Sequence, residues 1–296
     1  MFTTLRIRTA RVILALLLTI SLSVGGLLLW SSYRTQMSSG IKEGQTEGIR
    51  LPIVMYHSIL GVSSRQGQYV VSPEVLENDL KFLKDKGYTT IVTEDLVKYV
   101  KHGVLLPEKP IMLTFDDGFY NNYLNCMPLM EKYDCKMILS PIGAETVRYS
   151  ESGEENVAYS YVTWKRLKEM HESGRVEIQN HSYNMHSAKG GRNGSKKKSM
   201  ETLSEYQSVF SEDVLKMQNL ITEQVGVTPT AFAYPLGAIS KESLPILKEL
   251  GFQAAFTCES KVNVLTGDGE QLYHLGRYNR PAGISTEAFF AKFEKS

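Results

Sequence analysis

The chain has 296 residues with 33 Lys and Arg against 32 Asp and Glu, which gives a formal net charge of +1. This length is sufficient for a full hydrophobic core in one domain of barrel size. Because the charges balance, the overall charge gives no indication that the protein binds nucleic acid. The three cysteines have no metal-ligand spacing, and their odd number does not fit a disulfide framework.

The N-terminal region carries a membrane-insertion pattern. Residues 1–11 contain three arginines and precede an uncharged run over residues 12–30. At about 1.5 Å per residue this run nearly spans a hydrocarbon core of about 30 Å, and the arginines favour a cytoplasmic N-terminus. We therefore expect a cytoplasmic segment 1–11, a transmembrane signal-anchor helix 12–30 and an extracellular remainder. A cleaved signal peptide is the alternative, but the run is long for one and Val24–Gly26 is a poor cleavage site.

The rest of the chain divides into a polar stalk and one domain. Residues 31–50 are rich in Ser, Gly and Gln, which is typical of a flexible linker. Over residues 51–296, short apolar strands alternate with amphipathic helices, and this alternation predicts an α/β fold with a parallel sheet, most simply a barrel. The predicted strands are 51–56, 89–93, 110–115, 136–140, 176–179, 231–234 and 253–257. The predicted helices lie between Ser72 and Gly87 and at 93–101, 122–133, 163–173, 202–224 and 243–250, and a final strand and helix follow Tyr273.

One segment departs from this pattern. Residues 187–199 are basic and rich in glycine and follow His186 directly. Most such runs are solvated surface loops, and we favour that interpretation here. The functional alternative is a mobile lip that contacts an anionic glycan.

A pair of carboxylates follows the apolar strand predicted at 110–115. Asp116, Asp117 and Gly118 come directly after it. Two adjacent carboxylates are costly to bury without a positive partner, and active sites form at the carboxyl ends of parallel strands. The alternative is an ordinary Asp-Asp-Gly surface turn, which the motif alone would favour.

Two histidines follow another predicted strand, 176–179. His181 and His186 flank the sequence HSYNMH. Two imidazoles and one carboxylate are a common ligand set for a divalent metal that keeps open positions. A spacing of five residues does not place the two rings on one face of a helix, so we expect an irregular loop. Each histidine alone is more often structural, but together with the aspartate pair they indicate a metal-dependent active site.

The motifs TFDDG at 114–118 and HSYNMH at 181–186 together resemble those of the polysaccharide deacetylases of the NodB-homology group. These are metal-dependent carbohydrate esterases with a distorted (β/α) barrel, and the similarity covers about residues 108–296. The resemblance implies that Asp116 is the general base. It implies one divalent ion, most simply zinc with cobalt, nickel or iron as alternatives. The implied metal ligands are Asp117, His181 and His186.

The spacing of the histidines is similar to that of the branch that deacetylates poly-N-acetylglucosamine exopolysaccharides. That branch carries a Tyr-His pair on an early strand, which matches Tyr56 and His57. The resemblance therefore implies that His57 is the general acid. His274 is the alternative, because it lies nearer the position at which ordinary members carry their acid.

The third family motif appears here as YPLG at 234–237, with Leu236 in the place of tyrosine. The resemblance implies that the backbone N–H of Leu236 contributes to an oxyanion hole, a role that needs no side chain. Arg277 and Arg280 are further candidates to line the site.

The expected reaction is metal-dependent hydrolysis of N-acetyl groups from an extracellular N-acetylglucosamine polysaccharide, with release of acetate. Poly-N-acetylglucosamine is the favoured substrate, and peptidoglycan or chitin oligomers are alternatives. A non-catalytic glycan-binding surface protein is the alternative from another class. A metalloprotease is disfavoured because the sequence has no His-Glu-x-x-His motif. No nucleic acid and no obligate protein partner is indicated.

Overall fold

The computed structural model describes residues 48–294, and those from Ile49 onward belong to one compact unit. The predicted cytoplasmic segment 1–11, the predicted transmembrane helix 12–30 and almost all of the predicted stalk lie outside these residues. Within residues 48–294, no helix has both the length and the apolarity needed to cross a bilayer.

The described elements alternate along the chain as the sequence predicts. The strands are β1 Ile49–Leu51, β2 Ile53–Tyr56, β3 Ser58–Ile59, β4 Val70–Val71, β5 Thr89–Thr90, β6 Pro110–Asp117, β7 Met137–Pro141, β8 Val176–Ile178, β9 Ala231–Ala233, β10 Ala254–Phe256, β11 Asn263–Leu265 and β12 Tyr278–Asn279. The α-helices are α1 Pro73–Asp85, α2 Thr93–His102, α3 Met127–Lys132, α4 Gly143–Ser152, α5 Trp164–Glu172, α6 Leu203–Val225, α7 Ser243–Glu249 and α8 Thr286–Glu294.

The strands pair mainly in parallel. One path has the order β12, β2, β6, β7 and β8, with β5 on the start of β6, and β9 pairs in parallel with β10. Two isolated parallel bridges join these sets, because Asn180 pairs with Phe232 of β9, and Phe256 of β10 pairs with Leu275 just before β12. Successive strands therefore follow a closed, irregular path. The predicted parallel α/β architecture is confirmed.

Alternate residues of the central strands enter two different apolar clusters. Leu113 and Leu139 pack in the cluster that includes helices α1, α5, α6 and α8. Their neighbours Met112 and Ile138 pack in a second cluster with residues of β9 and β10. Both faces of the strands are thus covered, which explains why β6 is buried along its whole length and reads as a nearly unbroken apolar run.

The helix predicted over residues 122–133 is not a regular α-helix. The structure has a π-helical segment, Asn122–Cys126, followed by α3. Pro128 lies inside this region and has no N–H to donate to the carbonyl of Leu124, and its ring crowds that carbonyl. The wider π turn accommodates this defect.

The basic segment 187–199 is more firmly held than a solvated loop. Lys189 and Lys196 are exposed, as expected, but Gly194 and Ser195 are buried. The interpretation as a fully solvated loop is therefore wrong for its central residues, which pack against the chain that follows β9.

A buried charge cluster ties the C-terminal part of the chain to α1. The carboxylate of Asp79 accepts hydrogen bonds from Arg280 at 2.8 and 3.0 Å, from the Tyr56 hydroxyl at 2.9 Å and from the Thr286 hydroxyl at 2.6 Å. Asp79 and Arg280 are both buried. Buried charges are tolerated when each has such partners, so this cluster is a structural one.

We predict that Asp79→Ala lowers the free energy of unfolding by about 3–5 kcal/mol, because it leaves the Arg280 guanidinium buried without its counter-charge. Urea denaturation measures this change. Asp85→Ala, which removes an exposed carboxylate from the same helix, is the control and is expected to change the free energy of unfolding by less than about 0.5 kcal/mol. Equal effects of the two substitutions would contradict the assignment.

Candidate active site and metal centre

A cavity of about 650 Å³ lies where the carboxyl ends of the parallel strands meet. His57 follows β2, the aspartate pair ends β6, and His181 follows β8. This is the end of a parallel sheet at which active sites form. The lining residues that the sequence singles out are His57, Asp116, Asp117, His181, His186 and Leu236. His274 is exposed at the end of a 3-10 helix and does not line the cavity.

The backbone turns sharply within the aspartate pair. Asp117 has φ 71° and Gly118 has φ 79°, both in the left-handed region. A Cβ on Gly118 would lie 2.6 Å from Cβ of Pro141 on the neighbouring strand β7, so only glycine fits. This strained turn sends two adjacent, buried carboxylates to different partners.

Asp116 is paired with Arg277. The guanidinium donates to both carboxylate oxygens, with Nη1 2.7 Å from Oδ1 and Nη2 2.8 Å from Oδ2. The guanidinium also donates to the Thr257 carbonyl at 3.0 Å and to the Thr114 hydroxyl at 3.2 Å. Burial raises the pKa of Asp116, but the charge and hydrogen bonds of Arg277, together with the nearby histidines, outweigh this effect and hold the pKa well below its usual value. Asp116 is therefore ionised and fixed in orientation.

Asp117 faces the two histidines. Its Oδ1 lies 3.5 Å from Nε2 of His181 and 3.2 Å from Nε2 of His186. Nδ1 of His181 is 2.8 Å from the carbonyl oxygen of Ala233, so its N–H donates to that carbonyl and Nε2 is the nitrogen that faces Asp117 and is available to a metal. The segment from His181 to His186 is irregular, as expected, with Ser182 at φ 70°.

The carboxylate of Asp213 on α6 holds this irregular segment in place. It accepts the backbone N–H groups of Tyr183 at 2.8 Å and Asn184 at 2.9 Å. Asn180 adds a further bond, since its Oδ1 accepts the N–H of Ser182 at 2.8 Å. The two imidazoles are thus positioned by a hydrogen-bonded loop rather than by a helix.

The donor set fits a divalent metal. Ligand atoms of Asp117, His181 and His186 lie within 4.8 Å of one another. Oδ1 of Asp117 is buried and has no hydrogen-bond partner among residues 48–294, which is costly unless a cation takes that position. Two imidazole nitrogens and one carboxylate oxygen suit zinc and its neighbours in the first transition series, and leave open positions for water and substrate.

His57 lies beside this cluster. The ring of Tyr69 packs on it, edge to face, with the ring centroids 4.8 Å apart, and the carbonyl of His57 accepts a hydrogen bond from Asn122 at 2.7 Å. Burial lowers the pKa of His57, and the nearby carboxylates only partly oppose this effect. The protonated ring is therefore a stronger acid here than a free imidazole.

Leu236 lies at the cavity rim in a single 3-10 turn, Pro235–Gly237. Its φ of 57° is unusual for a branched side chain and turns the backbone of this segment. The residue is 46% exposed, so it lies at the surface as well as at the cavity.

The sequence profile of the family described as "Polysaccharide deacetylase" matches residues 104–255. The chain belongs to the polysaccharide deacetylase family. It is a hydrolase of that family, and its α/β fold is of the polysaccharide deacetylase type.

Sequence relatives of this deacetylase include poly-beta-1,6-N-acetyl-D-glucosamine N-deacetylases. It is 26% identical to that of Escherichia coli K12 over 225 residues, which are 70% of this chain but 34% of the relative, so the chain spans about a third of that protein. It is 25% identical to that of Staphylococcus epidermidis over 214 residues, 71% of this chain and 68% of the relative.

Solved structures show the same fold. IcaB from Ammonifex degensii superposes with a TM-score of 0.65 at 26% identity, covering 80% of this chain and 94% of the other. A de-N-acetylase from Aggregatibacter actinomycetemcomitans superposes with a TM-score of 0.69 at 24% identity, covering 83% and 99%.

Sequence reasoning identified the deacetylase site only in part. Arg277, a weak candidate, lies behind Asp116 as its buried partner, whereas Arg280 belongs to the structural cluster around Asp79 and does not line this cavity. The lining residues Tyr69 and Cys258 were missed. No motif marks them, and Cys258 is an exposed free cysteine.

We predict that Asp117→Ala abolishes stoichiometric binding of a divalent metal, because two neutral histidines without a carboxylate hold such an ion weakly. Elemental analysis of the purified protein after dialysis against zinc measures the metal content. The control is His274→Ala, which removes an imidazole outside the cavity and is expected to keep the metal content of the wild type. Retention of one metal ion by Asp117→Ala would contradict the site.

Proposed function

We propose that this deacetylase removes N-acetyl groups from poly-N-acetylglucosamine and releases acetate. The observation that carries the proposal is the placement of an ionised, unligated carboxylate, Asp116, in the same cavity as the Asp117, His181 and His186 cluster. The named activity of relatives at 25–26% identity and the five-residue histidine spacing support this substrate. The closed strand path supports the interpretation of the fold as a distorted (β/α) barrel.

Asp116 is proposed as the general base. Arg277 keeps it ionised at neutral pH, which a proton acceptor requires, and fixes the orientation of the carboxylate through two hydrogen bonds. The same pairing weakens its basicity, so it suits the removal of a proton from an acidified water. A divalent ion in the site, with zinc the first candidate and cobalt, nickel or iron the others, would supply that acidity and polarise the acetyl carbonyl.

We assign the two remaining roles to other residues that line the cavity. The backbone N–H of Leu236 is proposed to donate to the oxyanion that forms from the acetyl carbonyl. His57 is proposed as the general acid, because an amine leaves readily only when it is protonated. Its place in the cavity, its proximity to Asp116 and the exposed position of His274 support this choice.

We also propose that residues 12–30 anchor the enzyme in the cell membrane with the domain outside the cell. The arginines within residues 1–11 and the uncharged run that follows support this orientation.

An acetate-release assay of the full chain in detergent, supplemented with zinc, tests the proposed function. Poly-N-acetylglucosamine, peptidoglycan and chitin oligomers are compared at equal N-acetyl concentration. We expect acetate from poly-N-acetylglucosamine at the highest kcat/KM and none after treatment with a chelator. A higher kcat/KM on peptidoglycan would replace the substrate, and binding without acetate release from any glycan would indicate a non-catalytic glycan-binding protein.

We predict that Asp116→Asn folds and keeps its metal but loses turnover by at least about 100-fold, because an amide cannot accept the proton. Acetate release and metal content are measured on the same sample. A variant that keeps most of the wild-type kcat would remove Asp116 from the role of base.

We predict that His57→Ala lowers kcat by about 100-fold or more, whereas His274→Ala stays within about twofold of the wild type. Both variants are assayed for acetate release from the same substrate. If His274→Ala is inactive and His57→Ala is not, the assignment of the acid is wrong.

A further inference from the structure

The peptide unit between Pro235 and Leu236 links the proposed oxyanion donor to a packing contact. The carbonyl of Pro235 and the N–H of Leu236 belong to the same plane and point in opposite directions. Any contact that fixes the carbonyl oxygen therefore fixes the direction of the N–H. Part of that restraint comes from within the turn, since the Ala238 N–H donates to the Pro235 oxygen at 3.1 Å.

The second restraint comes from the basic segment 187–199. Gly194 approaches the Pro235 carbonyl so closely that a Cβ on it would lie 2.3 Å from the oxygen and 3.0 Å from Cβ of Ala238. The φ of Gly194 is 54°, and its N–H donates to the carbonyl of Ser187 at 3.0 Å. A side chain at this position would push the carbonyl oxygen aside, because a real Cβ does not approach an oxygen to that distance.

Ser195 attaches the same segment to both of its neighbours. Its hydroxyl donates to the carbonyl of Ala238 at 3.0 Å, and its own carbonyl accepts the hydroxyl of Tyr206 on α6 at 2.9 Å. Two residues further, the N–H of Lys197 donates to the hydroxyl of Ser240 at 2.8 Å. The segment is thus held between α6 and the chain that follows β9, although Lys189, Lys196 and Lys198 are exposed to solvent.

We propose that Gly194 and Ser195 are positioning residues for catalysis, which set the direction of the Leu236 N–H by bracing the Pro235–Leu236 peptide. This inference rests on the proposed function, because it concerns the oxyanion donor of that reaction. It gives the glycine-rich segment after His186 a role that depends on close backbone packing and not on its positive charge.

Gly194→Ala tests the inference against a matched control in the same segment. Gly190 also has a positive φ, 65°, but a Cβ there would meet no atom of the described residues within 4 Å. Gly190→Ala therefore reproduces the backbone strain without the contact. We expect Gly194→Ala to lower kcat for acetate release by about 10- to 100-fold, with KM and metal content unchanged, because the misdirected donor acts on the transition state.

A kcat of Gly194→Ala within about twofold of that of Gly190→Ala would overturn the inference. Ser195→Ala is a milder second variant, in case Gly194→Ala does not fold, and is expected to lower kcat by about 3- to 10-fold through the lost bond to Ala238. An unchanged kcat in this variant would likewise count against the brace.

A crystal structure of Gly194→Ala gives a readout that does not depend on activity. We expect the Pro235–Leu236 peptide to rotate away from its wild-type orientation while the Asp117, His181 and His186 cluster stays in place. An unrotated peptide would contradict the inference, whether or not the wild-type enzyme deacetylates any of the tested glycans. Acetate release by the wild type tests the proposed function separately.

Discussion

The structure depends on how two adjacent, buried carboxylates are neutralised. Neither Asp116 nor Asp117 can be buried as an ion without a positive partner. The left-handed turn at Asp117 and Gly118 separates their side chains, so that Asp116 meets Arg277 and Asp117 meets two imidazoles. One carboxylate is thereby committed to a guanidinium, while the other is left to bind a divalent metal. The division of roles that we propose, with Asp116 as base and Asp117 as ligand, follows from this turn.

The fold serves that division by bringing distant segments to one sheet edge. Arg277 lies 161 positions from Asp116 and reaches it because the chain pairs with β10 at Leu275 and with β2 immediately afterwards. The cluster around Asp79 fixes the chain just beyond this crossing by binding Arg280. Arg277 and Arg280 are both buried and three positions apart, but they have different roles. Arg277 contacts Asp116 in the site, and Arg280 stabilises the fold around it.

Much of the fold and of the metal cluster could be predicted from sequence. The apolar run of β6 and the motifs that follow strand ends are local signals, and these motifs identify Asp117, His181 and His186. The partner of Asp116 could not be predicted, because it depends on a pairing between residues far apart in the chain. The close approach of Gly194 to the Pro235 carbonyl could not be predicted for the same reason, since a glycine in a lysine-rich segment is typical of a surface loop.

X-ray diffraction at the absorption edge of a metal soaked into crystals of the enzyme tests the central claim most directly. The account predicts one anomalous peak in contact with Asp117, His181 and His186, with Asp116 still bound by both oxygens to Arg277. A peak that contacts Asp116, or a carboxylate of Asp116 released from Arg277 to bind the metal, would contradict the division of the two aspartates into a base and a ligand.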